Sequence, residues 1–156
     1  MAVHNITWNA TSSGVGSTEA IEAALKWLTG GEAEITKEKV KSYHGARMTL
    51  LRAHISQKKA SKQSICHLGS NLLNQLSQST DLDQRIDEGN VLHIRLDISS
   101  LVSGSIELSL DSGEQVKGRI KLEVYPGQDP IGNAREMLST AATKADAEGL
   151  PIEFNS

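Results

Sequence analysis

Cysteine is almost missing from this chain. Cys66 stands alone among 156 residues, so no intramolecular disulfide can form and no cysteine-rich zinc knuckle can be built. That usage fits a reducing compartment. Aromatic residues are as scarce, with two Trp, two Tyr and one Phe. A platform that stacks successive bases needs several rings on one surface, and this composition excludes it. No run of about 20 apolar residues occurs, which excludes a helical membrane span. Met1–Asn9 lacks the basic start and apolar stretch of a signal peptide, so the expected location is cytoplasmic. An excess of positive charge is missing too: 16 Lys and Arg face 19 Asp and Glu, for a net charge of −3. Dedicated nucleic-acid binders are usually basic. Any such site here must be a local patch on an acidic body.

What is present is a chain long enough to bury a core without staples. It reads as one domain over residues 1–156, with an ordered core over 3–148 and a loose end over 149–156. Val3–Ala10 alternates, with Ile6, Trp8 and Ala10 on one face, as a strand does. A glycine-rich turn follows, and Ser17 or Thr18 caps a helix carrying Ile21, Ala24, Leu25 and Leu28. Gly30-Gly31 ends that helix. Glu32–Tyr43 and Met48–Ile55 read as strands around a break at His44-Gly45. Lys58-Lys59 opens one long helix with Ile65, Leu68, Leu72, Leu73 and Leu76. Thr80–Asn90 is a polar link.

Val91–Asp97 is a strong strand pattern: Leu92, Ile94 and Leu96 point one way, His93, Arg95 and Asp97 the other. After a short connector over Ile98–Gly104, Ser105–Leu110 and Gln115–Tyr125 read as a hairpin around Asp111-Ser112-Gly113. Val116, Ile120, Leu122 and Val124 face inward; Lys117, Arg119, Lys121 and Glu123 face out. Pro130 starts a last helix with an apolar stripe of Ile131, Ala134, Met137, Leu138 and Ala141. The fold class is therefore α+β: an antiparallel sheet with helices collected on one face. The other face is a polar floor without a cover.

Three segments carry a resemblance: Tyr43-His44-Gly45 between two strands, Leu82–Asp97 (LDQRIDEGNVLHIRLD), and Arg119–Pro126 (RIKLEVYP) with the Gly104–Leu108 region before it. Together they resemble the archaeal family described as predicted exosome subunits or RNA-binding proteins, over Val3 to about Leu138. The resemblance implies an antiparallel sheet curved into a half barrel with helices outside, similar to an RNA-contacting ribosomal protein. It also implies RNA as a partner, with exosome- or ribosome-related proteins alongside. The chain departs from the family pattern at Ala46, where an asparagine is usual, at Ile98, where a lysine is usual, and at Gly118, where a β-branched residue is usual.

Arg95, Lys117, Arg119 and Lys121 form the candidate RNA site, since clustered cations attract phosphate and arginine holds it bidentately. Arg47, Arg52 and Arg85 join from neighbouring strands and the link, and His44 from its turn. The plainer alternative is a solvated strand face paired with Glu107, Asp97 and Glu123; for His44 it is a turn residue whose ring closes local hydrogen bonds. Lys58, Lys59 and Lys62 sit at a helix start, where cations are disfavoured, which hints at a binding role.

No catalytic set stands out. The acids Asp81, Asp83, Asp87 and Glu88 fail as a calcium loop, because Arg85 and Ile86 occupy positions that need a ligand and a glycine. Gly14–Ser17 lacks the Lys-Ser/Thr pair of a phosphate loop. The five histidines are scattered without metal-ligand spacing, and Cys66 reads as core. No cofactor or metal is expected. The reading is a non-catalytic RNA-binding module. The alternatives are a protein-interaction scaffold or homodimer without RNA contact and, third, an enzyme acting on small molecules.

Overall fold

The computed structural model describes residues 3–12, 15–41, 45, 47–109 and 114–154, the side chains of 15 and 16 excepted. Alternating apolar residues make β1 (Val3–Ser12) a strand with one buried face, formed by Ile6, Trp8 and Ala10. It occupies the middle of a five-stranded sheet because both its edges find partners. β3 (Arg47–Ile55) pairs on one side and β5 (Gln115–Leu122) on the other. β2 (Glu34–Lys41) pairs outside β3, and β4 (Val91–Asp97) outside β5. The order is β2-β3-β1-β5-β4, antiparallel throughout and not closed into a barrel.

The helices lie on one side. They are α1 (Val15–Leu28), α2 (Lys58–Cys66), α3 (Ser70–Ser77), the short α4 (Ile98–Val102) and α5 (Pro130–Glu148). α1 packs on β1 and β3, α2 on β1, and α3 against α5. Between the layers sit Trp8, Leu25, Leu51, Ile65, Leu73, Leu92, Ile94, Ile120 and Leu138, all essentially excluded from solvent. The expected α+β architecture with one helical side is what forms.

Three local expectations meet a different outcome. The long helix opened by Lys58 is two helices. Gly69 at the break has φ 91, a left-handed conformation in which a side chain is strained. The first arm of the expected hairpin pairs with β4 instead of β5. Leu108 bridges Leu96, and Asp97 N–H and Ser109 N–H donate to the Glu107 and Arg95 carbonyls at 2.9 Å each. The turn Asp111–Gly113 is outside the described residues. α1 begins at Val15, ahead of the Ser17 or Thr18 cap read from sequence.

The loose end is docked over residues 150–154. Trp27 Nε1–H donates to the Ile152 carbonyl at 2.6 Å, the Trp27 and Phe154 rings stack at 5.0 Å, and Ile152 N–H donates to His67 Nε2 at 3.3 Å. Cys66 is buried in the helical layer, its thiol pushed up by burial. No helix among the described residues is long and apolar enough to cross a membrane.

Candidate nucleic-acid interface

Strand periodicity decides which side chains reach the uncovered face, because successive residues point to opposite sides. On β1 the residues between the buried ones are Asn5, Thr7 and Asn9; on β3 they are Arg52 and His54; on β5, Lys117, Arg119 and Lys121; on β4, His93 and Arg95. The registers then align them in ranks across the sheet. One rank runs Thr36, Arg52, Asn9, Lys117, Arg95. The next runs Glu34, His54, Thr7, Arg119, His93. A third joins Asn5, Lys121 and Val91. Neighbouring ranks are about 7 Å apart along the strands, and neighbouring strands about 4.8 Å apart.

A shallow depression of about 510 Å³ runs along this face. Arg52 and His54 form one bank, Arg119 and Lys121 the other, and Asn5, Thr7 and Asn9 the floor. Among the described residues, the side chains of Arg52, Arg95, Lys117 and Arg119 have no ion-pair or hydrogen-bond partner. Lys117 and Arg95 stand directly opposite each other, an arrangement that repels unless an anion lies between or above them.

The remaining polar groups of the face are partly engaged. Lys121 Nζ–H donates to the Gly89 carbonyl. Thr7 Oγ1 and His54 Nδ1 share a hydrogen bond of 2.8 Å. His93 Nε2 lies 2.8 Å from Asp87 Oδ2, and that bond, with the Val91 and Gly89 amides, holds the Asp87 carboxyl below its usual range. Asp97 is engaged locally. It accepts from Ser100 Oγ–H at 2.7 Å and from Ser100 N–H at 2.9 Å, capping α4, and these bonds lower its pKa.

The structure thus brings together Arg95, Lys117, Arg119, Lys121 and Arg52. It separates two others. Arg47 lies five residues from Arg52, so it projects from the opposite face of β3, where its partner across the ladder is Lys41. Arg85 sits in a 3₁₀ turn over Leu82–Arg85, half-buried, with Nε 3.6 Å from Asp81 Oδ1. That separation makes an ion pair but is too long for a hydrogen bond, and Nε has no other partner. His44 lies outside the described residues.

Of the three lysines at the helix start, Lys58 is engaged locally: its Nζ–H donates to Glu123 at 2.5 Å. Tyr125 Oη–H donates to the same carboxylate at 2.5 Å. Lys58 above all, and Tyr125 after it, bring the Glu123 pKa down to about 2. Of the plainer alternative's three acids, Glu123 and Asp97 are therefore engaged elsewhere, and Glu107 Oε2 lies 2.9 Å from Ser100 Oγ, sharing that hydroxyl's single proton with Asp97.

Sequence reasoning missed Asn5, Thr7, Asn9 and His54. Their signal was present, since Asn5, Thr7 and Asn9 alternate with Ile6, Trp8 and Ala10, and His54 is two residues from Arg52. What the sequence lacked was the central place of β1.

A family model described as RNA binding matches residues 5–124. The chain belongs to that family. The RNA-binding match spans every strand of the sheet and both banks of the depression. No match is found among curated proteins. Three solved structures share the fold. Mth689, a DUF54 protein from Methanothermobacter thermautotrophicus, is 24% identical with a TM-score of 0.66, covering 93% of this chain and 98% of its own. AF2318 from Archaeglobus fulgidus, also DUF54, is 24% identical with a TM-score of 0.66, covering 92% and 99%. A UPF0201 protein from Methanococcus jannaschii is 10% identical with a TM-score of 0.59, covering 86% and 98%. Identities this low speak for the fold. These relatives are archaeal, as the family resemblance implied.

Proposed function

We propose that this chain is a non-catalytic RNA-binding module that holds phosphate backbone on the open sheet face, as an accessory of RNA-processing or exosome-type complexes. One observation carries the reading. Four cations without internal partners, Arg52, Arg95, Lys117 and Arg119, share one uncovered face with the neutral hydrogen-bonding groups of Asn5, Thr7 and Asn9 between them. Such a surface is unbalanced until an extended polyanion lies on it. Membership of the RNA-binding family supplies the class of polyanion. Among the described residues, the Thr7–His54 pair places a hydroxyl within hydrogen-bond reach of an imidazole. A working set of that kind needs a third group orienting the imidazole, and no carboxylate among the described residues bonds His54.

Binding of this kind is sequence-tolerant, because phosphate contacts carry no base information. It is also sensitive to salt. Five cations, counting Lys121, give a slope of log affinity against log salt of about −3.5 for a single strand. Fluorescence anisotropy with a labelled single-stranded RNA, titrated at several salt concentrations, tests this. Arg52→Glu with Arg119→Glu, one on each bank, is expected to lower affinity at least tenfold and to flatten the slope. Unchanged affinity in that variant would remove the site. A partner that then co-purifies after nuclease treatment would reassign the face to protein.

A further inference from the structure

The edge hairpin carries a second set of cations on the wrong side of the sheet for the site above. β2 reverses the charge pattern of its neighbours. Toward the open face it presents Glu34, Thr36, Glu38 and Val40; toward the helical side, Ile35, Lys37, Lys39 and Lys41. Lys37 fixes that side, since its Nζ–H donates to Glu22 of α1 at 3.2 Å. Lys39 and Lys41 continue the row past the helix and are exposed. Arg47 stands directly across from Lys41, also exposed. Among the described residues none of these three side chains has an ion-pair partner. Facing like charges on neighbouring strands costs stability.

We infer that Lys39, Lys41 and Arg47 form a second phosphate-binding patch, and that the RNA held by this chain presents two backbone segments, one on each side of the β2–β3 edge. The inference rests on the proposed RNA-binding role and specifies the kind of RNA. A single strand lying on the open face is kept from wrapping round the edge by Glu34 and Glu38, which line the open side of β2. The reverse patch must therefore be filled by a different stretch of backbone. Two backbones held a sheet's thickness apart are what a folded RNA offers, as in a stem flanking a loop, and what a short unpaired strand cannot. At physiological ionic strength the Debye length is about 8 Å, so charges on one side of the sheet are largely screened from phosphate on the other.

The test compares two RNAs and two variants in the full chain. The probes are an unpaired ten-nucleotide strand and a stem-loop containing the same ten nucleotides. Lys39→Glu with Lys41→Glu is expected to weaken the stem-loop at least tenfold while changing the unpaired strand less than twofold. Arg52→Glu with Arg119→Glu is expected to weaken both. The substituted side chains are exposed, and circular dichroism checks that each variant is folded; the milder Lys39→Gln with Lys41→Gln gives the same ranking if a reversal unfolds the hairpin.

Equal loss on both RNAs, or no loss on either, for the reverse-side variant overturns the two-segment arrangement. If the open-face variant still loses both RNAs in that case, the RNA-binding role stands. An open-face variant that binds both RNAs as well as the parent overturns the role itself, and the second patch with it.

Discussion

Gly118 offers a test of the packing beneath the candidate interface. It is paired with Trp8 on one side and Ile94 on the other. A Cβ at this position would fall 2.6 Å from Trp8 Cε3 and 2.7 Å from Cη2, and closer still to Cζ3. Carbon atoms attract best at about 3.5–4.0 Å, so the overlap is roughly 1 Å. Trp8 cannot retreat, because it is 2% exposed and surrounded by the core. Without that ring, Gly118→Ala would stabilise a strand by about 0.4–1 kcal/mol through the unfolded chain. With it, overpacking is expected to cost about 1–3 kcal/mol, so the steric effect decides the sign.

Gly118→Val, the β-branched type usual in the family pattern, is expected to cost more. Trp8→Val alone removes most of a large side chain and should cost on the order of 3–5 kcal/mol. The double variant should cost less than the sum, with a coupling of about 1–3 kcal/mol. Urea unfolding followed by far-ultraviolet circular dichroism measures all five proteins without relying on Trp8. A Gly118→Ala protein as stable as the parent, or additive costs in the double variant, would refute the reasoning.

Two further perturbations follow. Burial holds the His67 pKa below its ordinary 6.5, with the Leu28 backbone pulling the other way. The neutral ring is therefore the one the fold accepts. Its contribution is complete above about pH 6.5 and is lost as pH falls through the depressed folded value. Unfolding midpoints measured from about pH 7.5 down to about pH 5 should fall in the parent and flatten in His67→Gln. An equal slope in both proteins refutes the assignment. At the other end of the helical layer, Asp129 accepts from Ile131 N–H at 3.2 Å and Gly132 N–H at 3.1 Å, capping α5 ahead of Pro130. Asp129→Ala should cost about 1 kcal/mol, a fall of about 2–4 °C in Tm, and Asp129→Asn much less; equal losses in the two variants would mean that the cap is not the cause.

The strands were legible wherever one face is buried and the other wet, since that asymmetry writes itself into alternate residues. Val91–Asp97 is the clearest case, its bounds in the fold matching those read from the sequence. The same arithmetic would have separated Arg47 from Arg52, five positions apart, had it been applied to them. Other features were not local. Leu108 is as good a partner for Leu96 as for a residue of β5, and only the whole sheet decides between them. Gly69 breaks the second helix because Leu68 must turn into the core and Pro151 lies against the glycine; its Cδ would be 3.0 Å from an added Cβ. The docking of residues 150–154 likewise depends on Trp27 and His67, more than 80 positions away in the chain.

The acidic sum of the chain and its basic face are compatible because they are measured over different lengths. Net charge counts every residue, whereas a phosphate feels charges within about one Debye length. The acids near the interface are consumed in local work. Asp87 bonds the Gly89 and Val91 amides and His93, Asp97 caps α4, and Glu123 ties Lys58 and Tyr125. The free cations on the open face have no such work to do. Glu34 and Glu38 differ: they line the open side of β2, at the edge of the sheet. An acidic chain organised this way keeps its unpaired cations in local patches: Arg52, Arg95, Lys117 and Arg119 on the open face, and Lys39, Lys41 and Arg47 on the reverse of the β2–β3 edge. The pattern then comes from where the carboxylates were spent, with the total charge saying little.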